Sequence, residues 1–288
     1  MAEAEVSVKL GLSRRRPAAL VDEGVLIRLR RGVVVGACVV ERAATDPLLA
    51  HLLRVQALLL AFDDCVSSHE SAAVAHGLPV LDLPPYVIGT RRQGAWRSTP
   101  EFRIRIAPLP EDHLDCVDSV RCTARARTVI DVARSSSFLA ALVTGDSALR
   151  RGTSAAELAR VLEDCAAWAD VGKARRALSW LDGRSESALE SLSRGIFIEN
   201  DFPLPEPQVS IEIDPVTTFR LDFYWEEYGV AGEADGLKKY TEPDVLRAEK
   251  IRQERLERHG IRVVRWTYRE MRYETAATLT RIRRAFGR

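Results

Sequence analysis

Nothing in the 288 residues approaches the roughly 18-residue apolar run that a membrane-spanning helix requires. The opening residues, Met1-Ala-Glu-Ala-Glu5, lack the basic and apolar blocks of a signal peptide, so a cytoplasmic location is expected. Cysteine is sparse: Cys38, Cys65, Cys116, Cys122 and Cys165 are odd in number and contain no C-x-x-C pair. A disulfide framework and a thiolate zinc site are therefore not expected, and these residues should act as small buried hydrophobes. Internal repeats and low-complexity tracts are also missing, and the one Pro-rich polar segment is Asp201 to Pro207.

Net charge is scarce as well, at +1, but that average hides a segregation along the chain. From Glu199 to Asp235 ten acids stand against one base, a net of −9, whereas Arg247 to Arg265 has seven bases and three acids, a net of +4. An acidic locus followed by basic elements suits an enzyme that handles a polyanion, with ordinary solvated helix faces as the alternative. The hydrophobic content of 46% supports real cores, for two modest domains or one large one.

The acidic locus has internal structure. Phe219-Arg-Leu-Asp222-Phe-Tyr-Trp225 and Val230-Ala-Gly-Glu233-Ala-Asp235 read as two strands joined by a turn at Glu226 to Gly229, which brings Asp222 beside Glu233 and Asp235. Phe219, Leu221, Phe223 and Trp225 alternate with Arg220, Asp222 and Tyr224, so Asp222 should point away from the most apolar face. Clustered carboxylates repel unless a hard cation such as Mg²⁺ or Mn²⁺ neutralises them, which is the chemistry of a metal-dependent phosphodiesterase; a solvated acidic hairpin is the alternative.

Around this pair the spacing predicts a helix over Ser185 to Ile198 with Leu189, Leu192 and Ile196 on one face and Glu186, Glu190 and Arg194 on another. A strand through Val209, Ile211 and Ile213, a long basic helix from Tyr240 to His259 stopped by Gly260, and a strand over Ile261 to Trp266 complete the order α-β-β-β-α-β-α. Upstream, a helix capped at Ser13, with Pro17 in its first turn and Gly24 as its stop, leads to a hairpin over Val25 to Val35 turning at Arg31-Gly32, a basic helix and wing. Asp46 to Phe62 and a segment opened by Ser67 read as helices. Short strands are expected over Tyr86–Gly89, Phe102–Ile106 and Val117–Cys122, with helices over Ala124–Ala133 and Ser137–Arg150. A capping box at Ser154 opens a helix to about Ala169, broken by Gly172 before Lys173 to Leu181. His69-Glu70 with His76 fails as a metalloprotease motif, because H-E-x-x-H needs histidines four apart; both histidines should pack or cap.

Two resemblances sharpen this reading. The run Leu20-Val-Asp-Glu-Gly-Val-Leu-Ile-Arg-Leu-Arg-Arg-Gly32-Val resembles the N-terminal module of AbiEi-type antitoxins, and Ser67 to Gly77 with Cys122 to Ala133 resembles their middle region. The series Arg220-Leu-Asp-Phe, Gly232-Glu-Ala-Asp-Gly236, Lys239-Tyr240, Glu249-Lys-Ile-Arg252, Gly260 and Val263-Val-Arg265 resembles the PD-(D/E)XK nuclease superfamily, in the branch related to very-short-patch-repair endonucleases. Together they imply an α/β protein, α+β overall: a winged helix-turn-helix over 1–42, a small mixed middle region with a helical bridge over 43–183, and a restriction-endonuclease-like core over 184–288.

The second resemblance also implies roles. Asp222 and Glu233 would bind Mg²⁺ or Mn²⁺, with Glu190 supporting from the first helix and Asp235 adding a ligand or orienting water. Asp235 stands where the superfamily's E-x-K lysine would be, so Lys239, or Lys238 beside it, would approach the scissile phosphate instead. Arg252 and Gln253 on the basic helix are candidates for phosphate contact, and from the N-terminal helix and wing Arg14, Arg15, Arg16, Arg28 and Arg30 would bind the backbone of double-stranded DNA. The implied activity is metal-dependent phosphodiester hydrolysis. An AbiEi-like antitoxin or transcriptional regulator with a non-catalytic nuclease-like domain is the alternative.

Overall fold

The computed structural model describes residues 16–30, 33–235 and 243–287. Two compact units emerge, and the chain interleaves them: one takes the described residues up to Ser135 together with Thr153–Ala174, the other Ser136–Gly152 together with everything from Arg175 onward. The architecture is mixed α and β throughout, with helices and sheets in both units. No helix among the described residues is long and apolar enough to cross a membrane.

The first unit opens with helix α1 (Arg16–Asp22) and an antiparallel hairpin, β1 (Leu26–Arg30) and β2 (Val33–Gly36), with Ile27 opposite Val35. After α2 (Ala37–Thr45), helix α3 (Pro47–Ala61) starts where Asp46 accepts from the N–H groups of Leu48 and Leu49 at 3.0 and 3.1 Å and Pro47 presets the first turn. Its apolar side, Val55, Leu58 and Leu59, packs with Val87, Phe102 and Ile104 of a six-stranded mixed sheet. The strands are β3 (Cys65–Ser67), β4 (Val87–Arg91), β5 (Arg97–Ser98), β6 (Phe102–Ile106), β7 (Leu114–Val117) and β8 (Val120–Thr123). Helices α4 (His69–Ala75), α5 (Arg125–Ser135) and, after the other unit's α6 (Phe138–Arg150), α7 (Ala155–Asp164) complete it.

Several expectations are corrected here. Ser67 ends β3 rather than opening a helix; Ser68 takes the N-cap position, and α4 stops at Ala75 with His76 as its C-cap, its ring meeting the Thr123 carbonyl at 2.7 Å. The stretch 117–122 is a turn flanked by two strands, because Asp118 and Ser119 adopt φ of 46° and 66°, the left-handed pair that closes a two-residue hairpin. The helix from the Ser154 capping box ends at Asp164 rather than near Ala169, and Gly172 sits inside α8 (Val171–Leu178) instead of breaking the chain.

The second unit holds α6, α9 (Ala188–Glu199), β9 (Glu206–Asp214), β10 (Thr217–Trp225), β11 (Val230–Ala234), α10 (Pro243–Arg258), β12 (Arg262–Trp266), α11 (Tyr268–Tyr273) and α12 (Thr275–Phe286). The sheet order is β12-β11-β10-β9, antiparallel except for the parallel β11–β12 pair that α10 connects. Period-two alternation divides the faces. Phe223 and Trp266 stack at 5.7 Å on the side where Phe197 of α9 meets both rings edge-on, while Ala231 and Val263 pack with Leu256 of α10 on the other. Gly195 lets α9 lie against α6, since a Cβ there would stand 2.6 Å from Leu139.

Gly232 fixes how closely the strands and the tryptophans come together: a Cβ would lie 2.4 Å from the Trp266 ring and 2.9 Å from Trp225. Gly232→Ala should therefore destabilise by ~1–3 kcal/mol, as overpacked cores do. Gly172→Ala meets nothing within 4 Å, and a helical alanine there should be neutral or stabilising by up to ~1 kcal/mol. Urea denaturation of the two variants beside wild type measures both signs.

Candidate functional site

The antiparallel register of β10 and β11, with Phe223 opposite Gly232, carries Asp222 alongside Glu233 on the face away from the aromatic stack. The Ala234 N–H donates to Asp222 Oδ2 at 2.9 Å, which locks the carboxyl against the neighbouring strand. Glu190 comes from the first turn of α9, where the Ser187 hydroxyl accepts from the Glu190 N–H at 3.1 Å. Its Oε2 takes the Glu186 N–H and the Gln208 amide, each at 2.8 Å, and the residue is only 5% exposed. The cross-strand register puts Asp222 beside Glu233, and Glu190 lies near enough for its charge to act on Asp222.

Glu233, 8% exposed, is not a bare ligand. One oxygen is bound by the Arg252 guanidinium, and the other accepts from Arg265 Nε at 2.8 Å. Arg265 reaches it because β12 runs parallel to β11 with Arg265 in register with Glu233. Arg252, from α10, also donates to the Arg220 carbonyl at 2.8 Å, while the Gln253 side chain joins Arg265 at 3.0 Å and Glu257 at 2.9 Å. Arg252 and Gln253, expected at phosphates, thus have partners within the protein. Both are engaged around Glu233, because a buried carboxylate needs charge-assisted partners. Among the described residues no three His, Cys, Asp or Glu side chains stand ready-made around a cation.

Other expected residues separate. Arg194 binds Asp146 of α6 at 2.7 Å and the Trp180 carbonyl at 2.8 Å. Glu186 pairs with Arg220. Asp235 follows β11, half-buried, its N–H donated to the Trp266 carbonyl at 2.9 Å. Arg28 is exposed on β1. Arg14, Arg15, Lys238 and Lys239 lie outside the described residues, as do the side chains of Arg16 and Arg30. The sequence reading missed Arg265 and Gln208. Counting back along the parallel strand from Trp266 would have found the first; the second, held at a left-handed φ of 56°, carries no sequence signal.

Burial, and then Glu190, push the Asp222 carboxyl up to about 6 against the opposing Ala234 N–H; Glu233 adds to the rise and Arg252 opposes it. An acid whose folded pKa is raised loses stability as pH climbs from its unfolded value near 4 to about 6, and the loss persists above. The group is partly exposed, so the effect is on the order of 1 kcal/mol. Asp222→Asn should accordingly be more stable than wild type at pH 8 and equal to it near pH 4. The variant-minus-wild-type difference is the quantity to measure by thermal melts across pH, because Asp146, likewise pushed to about 6 by burial, titrates in the same window.

No family model matches the chain. It is 32% identical over 193 residues, 67% of its own length and 71% of theirs, to the uncharacterized proteins MT2308 and Rv2248 from two strains of Mycobacterium tuberculosis. At that identity and coverage, the chain belongs to the same family as these two mycobacterial proteins.

Proposed function

We propose that the protein is a DNA-binding, metal-dependent phosphodiesterase of the nuclease-like class. The observation that carries this reading is the side-by-side placing of Asp222 and Glu233 on adjacent strands, with the buried Glu190 on the preceding helix acting on Asp222, within an α-β-β-β-α-β order. That order and those positions agree with the resemblance to PD-(D/E)XK nucleases, and the helix and hairpin at the other end agree with a winged helix-turn-helix. The donor set suits a hard divalent cation. All donors are oxygens, and Asp222 is a largely enclosed carboxylate that forms no ion pair among the described residues. Asp222 and Glu233 would hold Mg²⁺ or Mn²⁺ with Glu190 and Asp235 in support, and the bound ion would polarise a phosphoryl oxygen and acidify a water. Ala234 orients Asp222, Gln208 orients Glu190, and Arg252 and Arg265 keep a positive field where a phosphate would lie.

The arginine pair on Glu233 favours a second reading, a regulator related to AbiEi antitoxins whose nuclease-like unit does not cut. Guanidiniums already neutralise the carboxylate that a cation would need, and Asp235 occupies the lysine position. Nicking of supercoiled DNA in Mg²⁺ or Mn²⁺, run beside a gel-shift titration, separates the two. Wild type should nick, while Asp222→Ala and Glu233→Ala should lose nicking at least 100-fold and keep binding, since the lost carboxylates also repel the backbone. Lys239→Ala should be milder. A wild type that binds a duplex and cuts no nucleic acid establishes the regulator reading instead.

Duplex binding should weaken as salt rises. Each neutralised phosphate contributes about −0.9 to the log–log slope, so alanine at Arg28 and Arg30 together should flatten the slope by about one to two. An unchanged slope moves the DNA surface away from the hairpin.

A further inference from the structure

Within the first unit a second locus stands apart from the carboxylate site and owes nothing to the nuclease reading. It is a cavity of about 250 Å³ lined by His69, Arg105, Arg127, Asp131, Arg134 and Trp168. Arg127 and Asp131 are both 1% exposed and paired at 2.9 Å, and Arg127 and Arg134 stand over the Trp168 ring at 4.4 and 4.9 Å. These contacts hold two guanidiniums rigidly at the wall. Arg105 also lines the cavity and forms no ion pair among the described residues. Three guanidiniums against one carboxylate leave the lining with two uncompensated positive charges.

His69 supplies the polar group. It sits at a left-handed φ of 56°, a conformation costly for a side chain with a Cβ, and it is 3% exposed. The Thr90 hydroxyl donates to Ser68 Oγ at 2.8 Å, so the Ser68 proton is available to His69 Nδ1 at 2.9 Å. Burial drives the imidazole toward its neutral form. A neutral ring that accepts at Nδ1 carries its proton on Nε2, and that buried Nε2 has no hydrogen-bond partner among the described residues. Strain that places an unsatisfied donor beside an unpaired arginine in a cavity is what a ligand site requires and what simple packing does not.

We propose that this cavity binds the phosphate dianion of a small phosphorylated molecule, with Arg105 and the His69 Nε2–H as its donors and Arg127 and Arg134 as fixed positive charges. A phosphomonoester carries about −1.5 to −2 charge at neutral pH and matches the two excess positive charges, where a single carboxylate would leave one unmatched. The cavity volume admits a phosphate with a small organic body.

Calorimetric titration of the full-length protein, without divalent metal, with inorganic phosphate, adenosine 5′-monophosphate and a 5′-phosphorylated oligonucleotide tests the site. Wild type should bind the two small probes, and Arg105→Gln, which removes no bond of the fold, should weaken them at least tenfold; Arg105→Lys should retain part of the affinity. Tighter binding of the monophosphate identifies a phosphorylated metabolite, and equal binding identifies free phosphate. Nitrogen-15 spectra of His69 should show a neutral ring protonated at Nε2, whose proton resonance moves on phosphate addition. The proposal is overturned if neither small probe binds, if Arg105→Gln binds both as wild type does, if only the oligonucleotide binds, or if the ring is protonated at Nδ1. A cavity holding ordered water alone would give the first of these results.

Discussion

Glu233 lies almost out of solvent between two guanidiniums, and the geometry of the C-terminal unit follows from that requirement. A carboxylate removed from water without partners would cost several kcal/mol. It survives because Arg265 arrives in register on the parallel strand and Arg252 projects from the helix that makes the crossover. Removing either arginine would leave a partly uncompensated buried charge, and would also loosen α10 from the sheet, because Arg252 holds the Arg220 carbonyl as well. Electrostatics here sets strand register, helix placement and side-chain orientation together.

The aromatic side of the same sheet supplies the stiffness. Phe197, Phe223, Trp225 and Trp266 interlock with ring centroids 5.5 to 6.4 Å apart, and the Trp266 indole N–H is satisfied by the Ser193 hydroxyl at 2.9 Å. One face therefore holds the strands rigid while the other presents charge. Asp222 and Glu233 can stay adjacent despite their repulsion because the backbone that carries them is fixed from behind.

Much of this was legible in the sequence where periodicity ran long. The nine-residue strands β9 and β10 announced themselves by alternation, and their order with α9, β11, α10 and β12 is the order read from the chain. A cap was legible where local chemistry decides, as in the capping box at Ser154. What stayed hidden depends on distant partners or on very short elements. The three-residue strand β3 offers no period to count, and the Asp118-Ser119 turn lacks the glycine that usually marks one. The adjacency of Asp222 and Glu233 could be argued from spacing, but the arginines on Glu233 could not, since they come from elements 19 and 32 residues away. His69 was read as packing or capping; its backbone strain and its empty Nε2 exist only in three dimensions.

The interleaving of the chain has a consequence for modularity. Helix α6 leaves the first unit's sequence to pack on α9 through Gly195, and its Asp146 receives Arg194 before the chain returns to the first unit at Thr153. A fragment cut at residue 184 would expose the α9 surface shaped for Leu139 and strand the Arg194 guanidinium without its carboxylate. The carboxylate-bearing unit is therefore not a simple terminal cassette. Moving that unit requires moving an internal helix with it, so the interleaving ties the two units together as one piece of chain.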